Sequence, residues 1–259
     1  LLVVQPQRRL AHRHREQFGR EAEHLAFDTL AQEARAGCRP QRTVVGQIVT
    51  WPVQWCLHAA AVSDAAVEGA HALEGAVDRV GELWRRGVRF MGLTHLANNA
   101  PGGSSTPLIG DRPPSPRGHA VVDAMADAGM SVDLAHASPR TIRDLAAHGG
   151  ARLLCSHTGV SGAHASWRNL DDGALRLVAG RGGVVGIIFA TIYLGGRRIE
   201  DVVRHLEHAL DVAGEDHVGL GSDFDGLVPM PRGLRDVTDV PKVVAALARR
   251  RPERVVEKV

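Results

Sequence analysis

Five residues capable of metal binding or proton transfer follow short apolar runs in this chain of 259 residues. The runs end in VEGAH, GLTH, VDLAH, LLCSH and GLGSDFDG, which contribute Glu68, His95, His136, His157 and Asp223. A single histidine or acid at a strand end is more often a packing or turn residue than a functional one. Five such residues at equivalent positions indicate a common site.

The apolar runs alternate with segments of helical periodicity. Helices are predicted for ALEGAVDRVGELWRRG, HAVVDAMADAGM, SPRTIRDLAAHGG, LDDGALRLVAGRG and IEDVVRHLEHALDVAG. The runs VRFMGLTH, SVDLAH, ARLLCSH, GVVGIIF and HVGLGSDF are typical of buried strands. This alternation predicts an α/β fold, and the number of units favours a (β/α)8 TIM-type barrel formed as one domain by residues 1–259. No GxGxxG follows an early strand, which disfavours a dinucleotide-binding sheet.

In a parallel barrel the carboxyl ends of all strands lie on one face, so the five residues should converge on one pocket. Glu68, His136 and His157 suit a divalent metal ion, with zinc the first choice, because they leave a coordination position open for water. Asp223 would then carry a proton to a leaving amine. Cys155 is a weaker candidate ligand, since a buried free cysteine is usually an apolar filler.

The composition disfavours several other classes of function. The 31 basic and 29 acidic residues leave a net charge of +2, too little to attract nucleic acid or anionic lipid. Three scattered cysteines indicate a reducing compartment, and we expect a cytoplasmic location. No apolar run approaches the roughly 18 residues of a membrane span, and LLVVQPQRRL lacks the order of a secretory signal.

Six motifs occur in a fixed order and together resemble the membrane (renal) dipeptidase family of zinc peptidases. They are VEGAHAL, GLTHLANNA, GMSVDLAHAS, LLCSHTGV, SWRNLDD and HVGLGSDFDG, and the resemblance extends over about residues 66–258. It implies a (β/α)8 barrel with two bridged zinc ions that hydrolyses dipeptides carrying a free C-terminal carboxylate. A homodimer is a candidate assembly.

The resemblance also implies roles for individual residues. Glu68 would bridge both metal ions, and His136 and His157 would complete one of the two sites. His95 would contact the substrate or the tetrahedral intermediate, and Asp223 would carry the proton. Arg168 would pair with the carboxylate of the substrate, because its planar fork binds a carboxylate bidentately.

The sequence departs from the family pattern in two places. The His-x-Asp pair that normally ends the first strand and completes the other metal site does not occur anywhere in the chain. The nearest substitutes, His12, His14 and Glu16, follow QPQRRLA, which has no strand pattern, and we interpret them as surface residues. The family's usual glycine-asparagine pair and final helix are not reached at Val259. We therefore expect both ends of the barrel to be incomplete.

Residues 1–60 match nothing in the family. They carry a helical pattern in REQFGREAEHLAFDTLAQEARAG and a strand-like stretch from residue 43. A divergent branch, a truncated product and a shifted reading frame all fit these residues.

Three functions remain open at this point. The first is a metal-dependent dipeptidase that has two zinc ions, or one if a site is lost. The second is an inactive dipeptidase-like barrel that acts as a scaffold or binding protein. The third is a hydrolase of cyclic amides or lactones, which Arg168 disfavours because a buried guanidinium without a substrate carboxylate would stay unpaired.

Overall fold

The computed structural model describes residues 2–4, 65–107 and 109–259, the first three by their backbone alone. Seven short strands form one sheet in which each strand pairs in parallel with the next along the chain. This is the strand order of a (β/α) barrel. The strands are β1 (Leu2–Val4), β2 (Ala65–Val67), β3 (Val88–Gly92), β4 (Ser131–Asp133), β5 (Leu153–Thr158), β6 (Val185–Ile187) and β7 (Val218–Leu220).

Helices connect the strands from β2 onward, as the alternating pattern predicts. The α-helices are α1 (Arg79–Arg85), α2 (Pro116–Ala128), α3 (Pro139–His148), α4 (Asp172–Gly180), α5 (Thr191–Leu194), α6 (Ile199–Ala213), α7 (Val240–Ala248) and α8 (Glu253–Val256). Two 3-10 turns lie at Ala70–Leu73 and Val237–Asp239. Along residues 65–107 and 109–259, no helix is long and apolar enough to cross a membrane.

The strand at Leu2–Val4 is a feature that the sequence pattern does not predict. It pairs with β2 through Leu2 opposite Ala65 and Val4 opposite Val67, so it occupies the position before β2 in the sheet. Gln5, Pro6 and Gln7 follow it in the sequence, and none of them is a histidine or an acid. The helical pattern near residues 15–37, the stretch from residue 43, and His12, His14 and Glu16 lie outside the described residues.

Three of the described helices are preceded by a side chain that accepts a hydrogen bond from a backbone amide of the first turn, which has no partner within the helix itself. Ser115 accepts from the amide of Gly118 at 3.1 Å, Ser138 from Thr141 at 3.2 Å and Asp171 from Ala174 at 2.7 Å. Each such cap stabilises its helix by about 1 kcal/mol. These helices start just after the loops at the carboxyl ends of the strands, so the caps also fix where those loops end.

Several strands are shorter than predicted because their last residues turn out of the sheet. The run SVDLAH is a strand only as far as Asp133, whose Oδ1 accepts a hydrogen bond from the amide of Ala135 at 2.9 Å. Three residues after Asp133, His136 has a φ of 65°, in the left-handed region that few residues other than glycine adopt. This turn carries the side chain of His136 over the end of the sheet.

Candidate metal centre

Three ligand-type side chains from the ends of three strands of the sheet meet at one point. Glu68 directly follows β2, His136 lies three residues after β4, and His157 lies within β5. Glu68 Oε1 lies 2.6 Å from His136 Nε2 and 3.5 Å from His157 Nε2, and the two Nε2 atoms are 3.1 Å apart. Over the part of the chain that the structure describes, no other group of three or more His, Cys, Asp or Glu residues is arranged to hold a metal ion.

These distances fit a shared cation. Ligand atoms about 2.0–2.1 Å from a tetrahedral zinc ion lie about 3.3 Å from one another. The spacings of 3.1 and 3.5 Å at this site are close to that value, whereas the 2.6 Å between Glu68 Oε1 and His136 Nε2 is a hydrogen-bond distance. Nδ1 of His136 is buried and has no hydrogen-bond partner, so no contact at Nδ1 turns the ring away from the position in which Nε2 faces the other two ligands. The donor set of two imidazoles and one carboxylate therefore fits one divalent metal ion and leaves room for a further ligand.

The charges of the three ligands also favour a metal ion. Burial, followed by the nearby charge of Arg168, lowers the pKa of His136 to about 4 and holds the pKa of His157 well below its usual value. Both rings are therefore neutral at pH 7. Burial acts to raise the pKa of Glu68, but the hydrogen bond and the nearby imidazoles outweigh it and keep this carboxylate ionised. Neutral imidazoles and an ionised carboxylate are the forms that bind metals.

The strand-end turn after β4 holds His136 in place through its own backbone. The carbonyl of His136 accepts hydrogen bonds from the amide of Ser105 at 2.8 Å and from the hydroxyl of Thr94 at 3.3 Å. Ser105 and Thr94 belong to the segment that follows β3, which also carries His95. The loop after β3 and the turn after β4 are therefore joined directly above the metal centre.

Arg168 is buried beside this centre, with 3% of its surface exposed. It donates a hydrogen bond to the carbonyl of His157 at 3.0 Å, whereas its Nε is buried without a partner. No carboxylate forms an ion pair with it among residues 65–107 and 109–259. A buried guanidinium without a counter-charge is unfavourable, so this position is suited to receive an anion.

His95 and Asp223 complete the set of predicted site residues. His95 Nε2 lies 3.6 Å from Glu68 Oε2, and its ring packs edge to face against His136 with centroids 4.6 Å apart. Asp223 follows β7 in a left-handed backbone conformation with a φ of 57°. Burial and the charge of Glu68 raise its pKa to about 7, against the opposing charge of Arg168.

The structure thus brings Glu68, His95, His136 and His157 into direct contact and buries Arg168 against His157. Cys155 lies outside the metal-binding group, and its thiol faces the carbonyl of His157 at 3.9 Å. Burial raises the pKa of this thiol, which disfavours the thiolate that a metal would need.

Two residues of the site were missed by the sequence reasoning. Neither Asp133 nor Ser156 is among the predicted site residues. Asp133 accepts hydrogen bonds from the amide of Ala135, next to His136, and from the amide of Ser156, next to His157. Ser156 Oγ lies 2.5 Å from Asp133 Oδ2 and 2.9 Å from His157 Nδ1. Burial raises the pKa of Asp133, and the hydrogen bonds from Ser156 and Ala135 oppose that rise. A carboxylate within an apolar strand run was the signal that could have identified Asp133.

Comparison with known proteins identifies the family of this chain. The model of the membrane dipeptidase family, peptidase family M19, matches residues 58–259. An uncharacterized dipeptidase of Schizosaccharomyces pombe is 34% identical over 192 residues, which are 71% of this chain and 46% of that protein. The chain belongs to the membrane dipeptidase family.

Two solved structures are similar in both fold and sequence. Dipeptidase AC, a metallopeptidase of family M19, superposes with a TM-score of 0.70 at 30% identity, covering 76% of this chain and 62% of that one. A metallopeptidase from Rhodobacter sphaeroides, solved with a phosphinate mimic of L-Ala-D-Ala, gives a TM-score of 0.69 at 31% identity and covers 76% and 59%. The chain spans about half the length of the yeast relative and about 60% of these two structures.

Proposed function

We propose that this chain is a metal-dependent dipeptidase in which Glu68, His136 and His157 bind a zinc ion. The observation that carries the proposal is the meeting of two neutral imidazoles and one carboxylate next to Arg168. Arg168 is buried, and no carboxylate in the described part of the chain forms an ion pair with it. Membership of the membrane dipeptidase family and the two metallopeptidase structures support it.

The metal ion would supply Lewis acidity, which polarises the scissile carbonyl and makes a water molecule nucleophilic near neutral pH. The protein's own contribution is to hold the three ligands at one point and to keep them in their metal-binding protonation states. Glu68 has a second oxygen, Oε2, directed toward His95. That oxygen is the atom through which Glu68 would reach a second metal ion.

The number of metal ions is part of the proposal. The described residues contain one group of three ligands, and no histidine or acid directly follows β1 in the sequence. We therefore propose one strongly bound zinc ion. For any second ion, Glu68 is the one ligand that the described residues would supply. No feature of these residues favours the inactive scaffold.

Arg168 is the residue proposed to bind the substrate. Its guanidinium is buried, one of its nitrogens donates to the carbonyl of His157, and no carboxylate of residues 65–107 and 109–259 forms an ion pair with it. A dipeptide with a free C-terminal carboxylate would supply the missing charge through two parallel hydrogen bonds. Because Arg168 contacts the strand that carries His157, the bound carboxylate would lie a fixed distance from the metal ion.

His95 and Asp223 are the residues proposed to act on the reacting atoms. A carboxyl group with a pKa of about 7 accepts and releases protons readily at neutral pH, so Asp223 would take a proton from water and pass it to the leaving amine. Burial lowers the pKa of His95. Its neutral ring would donate a hydrogen bond to the oxygen of the tetrahedral intermediate.

Metal analysis and a dipeptide panel test the proposal together. The purified chain, refolded with zinc and freed of loose metal, should contain one zinc ion and release amino acids from simple dipeptides. The Glu68→Gln and His136→Ala variants should lose both the zinc and the release. Well-folded protein that retains zinc but cleaves no dipeptide would contradict the proposed activity, and folded protein without bound zinc would contradict the proposed site.

A further inference from the structure

Asp133 is a buried carboxylate that accepts hydrogen bonds from residues adjacent to both histidine ligands. Its Oδ1 accepts the amide of Ala135, which forms the turn that ends in His136, and the amide of Ser156, both at 2.9 Å. Its Oδ2 lies 2.5 Å from the hydroxyl of Ser156, which in turn lies 2.9 Å from Nδ1 of His157. One carboxylate is therefore connected to His136 through a turn and to His157 through a hydroxyl.

We propose that Asp133 and Ser156 are positioning residues of the metal centre, which set the tautomer of His157 and thereby point the lone pair of its Nε2 at the metal ion. This inference rests on the proposed metal site, and it does not depend on dipeptide hydrolysis. It assigns a role to two residues that do not themselves bind the metal.

The directions of the hydrogen bonds follow from the atoms that can donate. Backbone amides only donate, so Oδ1 of Asp133 serves as the acceptor for both of them. A serine hydroxyl has one hydrogen, which it donates to Oδ2 of the carboxylate. Its oxygen is then left to accept from His157, so Nδ1 of His157 carries the hydrogen and Nε2 carries the lone pair. Nε2 is the atom 3.1 Å from Nε2 of His136 and 3.5 Å from Glu68 Oε1.

The same reasoning predicts that Asp133→Asn reverses the direction of the hydrogen bonds from residue 133 through Ser156 to His157, while the positions of the side chains stay the same. The amide oxygen of asparagine still accepts both backbone amides, but its NH2 group donates to Ser156 Oγ. The serine hydroxyl then donates to Nδ1 of His157, which moves the ring hydrogen to Nε2 and blocks the metal-binding atom. A hydrogen-bonded group behind a metal-binding histidine typically changes metal affinity by about 10- to 100-fold.

The experiment measures the tautomer and the metal affinity separately. In metal-free protein labelled with ¹⁵N-histidine, the ring nitrogen shifts of His157, assigned with a His157→Gln variant, report which nitrogen carries the hydrogen. Zinc affinity is then measured by competition with a chelator. We expect Nδ1–H in the native chain, Nε2–H in Asp133→Asn, and zinc affinity that is about 10- to 100-fold weaker in both Asp133→Asn and Ser156→Ala.

Two further variants separate positioning from a general loss of stability. Ser156→Thr keeps a hydroxyl at the same place and should restore both the tautomer and the zinc affinity. Asp201→Asn changes another buried carboxylate, which lies on α6, accepts the amide of Arg198 just before that helix, and is not part of the metal-binding group. It should leave both measurements at their native values.

The proposal is overturned if His157 carries its hydrogen on Nε2 in the native chain, or if Asp133→Asn and Ser156→Ala retain the native tautomer and zinc affinity. It is also overturned if Asp201→Asn weakens zinc binding as much as Asp133→Asn. If the native chain binds no zinc, the proposed metal site fails, and the tautomer measurements alone then decide this inference.

Discussion

Nε2 of His136 and Nε2 of His157 face each other at 3.1 Å, although 21 residues separate the two histidines in the chain. Both rings are neutral at pH 7 because burial lowers their pKa values. In this structure the contact is a hydrogen bond, and His136 Nε2 also lies 2.6 Å from Glu68 Oε1. The two Nε2 atoms and the carboxylate of Glu68 are thus close enough together to share one cation.

Removal of any one ligand should abolish tight zinc binding. In Glu68→Gln, His136→Ala and His157→Ala, two protein ligands remain, which is fewer than zinc sites in proteins normally have. Zinc content after dialysis, measured by inductively coupled plasma mass spectrometry, should fall from one ion to none. His119→Ala is a suitable control, because His119 pairs with Asp144 on the outer helices and lies outside the metal-binding group. Full retention of zinc in all three ligand variants would contradict the site.

Removal of Arg168 should weaken the use of dipeptides with a free carboxylate. Loss of one partner of a buried charge pair costs about 2–5 kcal/mol, which corresponds to roughly 30- to several-thousand-fold in kcat/KM. Arg168→Met should show this loss for a dipeptide, and Arg168→Lys should show a smaller one because lysine keeps the charge but not the planar fork.

Substrates that lack the carboxylate provide the control for Arg168. The native chain should cleave a dipeptide amide poorly, and Arg168→Met should cleave the amide about as well as the native chain does. An equal loss on both substrates would mean that Arg168 acts by holding the carbonyl of His157 rather than by binding the substrate.

Replacement of Asp223 should slow the reaction without releasing the metal. A positioned proton carrier typically contributes about 10²- to 10⁴-fold, so kcat of Asp223→Asn should fall by that factor while zinc content stays native. Asp225→Asn, two residues further along the same loop, is the matched control and should retain most of the activity. Native kcat in Asp223→Asn would assign the proton transfer to another group.

Acid should destabilise the fold through His205, which is buried in α6 away from the metal centre. His205 Nδ1 accepts the amide of Val160 at 2.9 Å, and its Nε2 faces the carbonyl of Leu194 at 3.3 Å. Burial lowers its pKa to about 4. Between pH 6.5 and pH 4 the unfolded chain gains a proton that the folded chain does not, so the free energy of unfolding falls with pH by up to about 3 kcal/mol.

Denaturant unfolding at several pH values measures this contribution. The loss of stability between pH 7 and pH 4 should be smaller in His205→Gln than in the native chain, because the variant no longer titrates there. His208→Gln on the same helix serves as the comparison, since His208 is partly exposed and pairs with Asp172. Identical pH profiles for the native chain and His205→Gln would show that His205 is not the group responsible.

The alternation of strands and helices was predictable from the sequence because it is a local property. Apolar runs and helical periodicity appear over ten or so residues, and they predicted β3 to β7 and the longer helices between them, but not the short α5 (Thr191–Leu194). Strand ends were predicted less well. In SVDLAH the strand stops at Asp133 because that side chain accepts a hydrogen bond from the amide of Ala135. Such a bond competes with the backbone hydrogen bonds of the sheet, and an apolar pattern does not reveal it. The strand at Leu2–Val4 depends on pairing with residues more than sixty positions away.

The sequence by itself determined which residue types stand at the strand ends and in what order, and hence the family and the three metal-ligand candidates. The tertiary structure decided how those residues act on one another. The contact between Nε2 of His136 and Nε2 of His157, the hydrogen bond from Arg168 to the carbonyl of His157, and the contact of Asp133 with Ser156 all join residues that are separated in the chain. Such contacts depend on how the strands pack together, so no local pattern contains them.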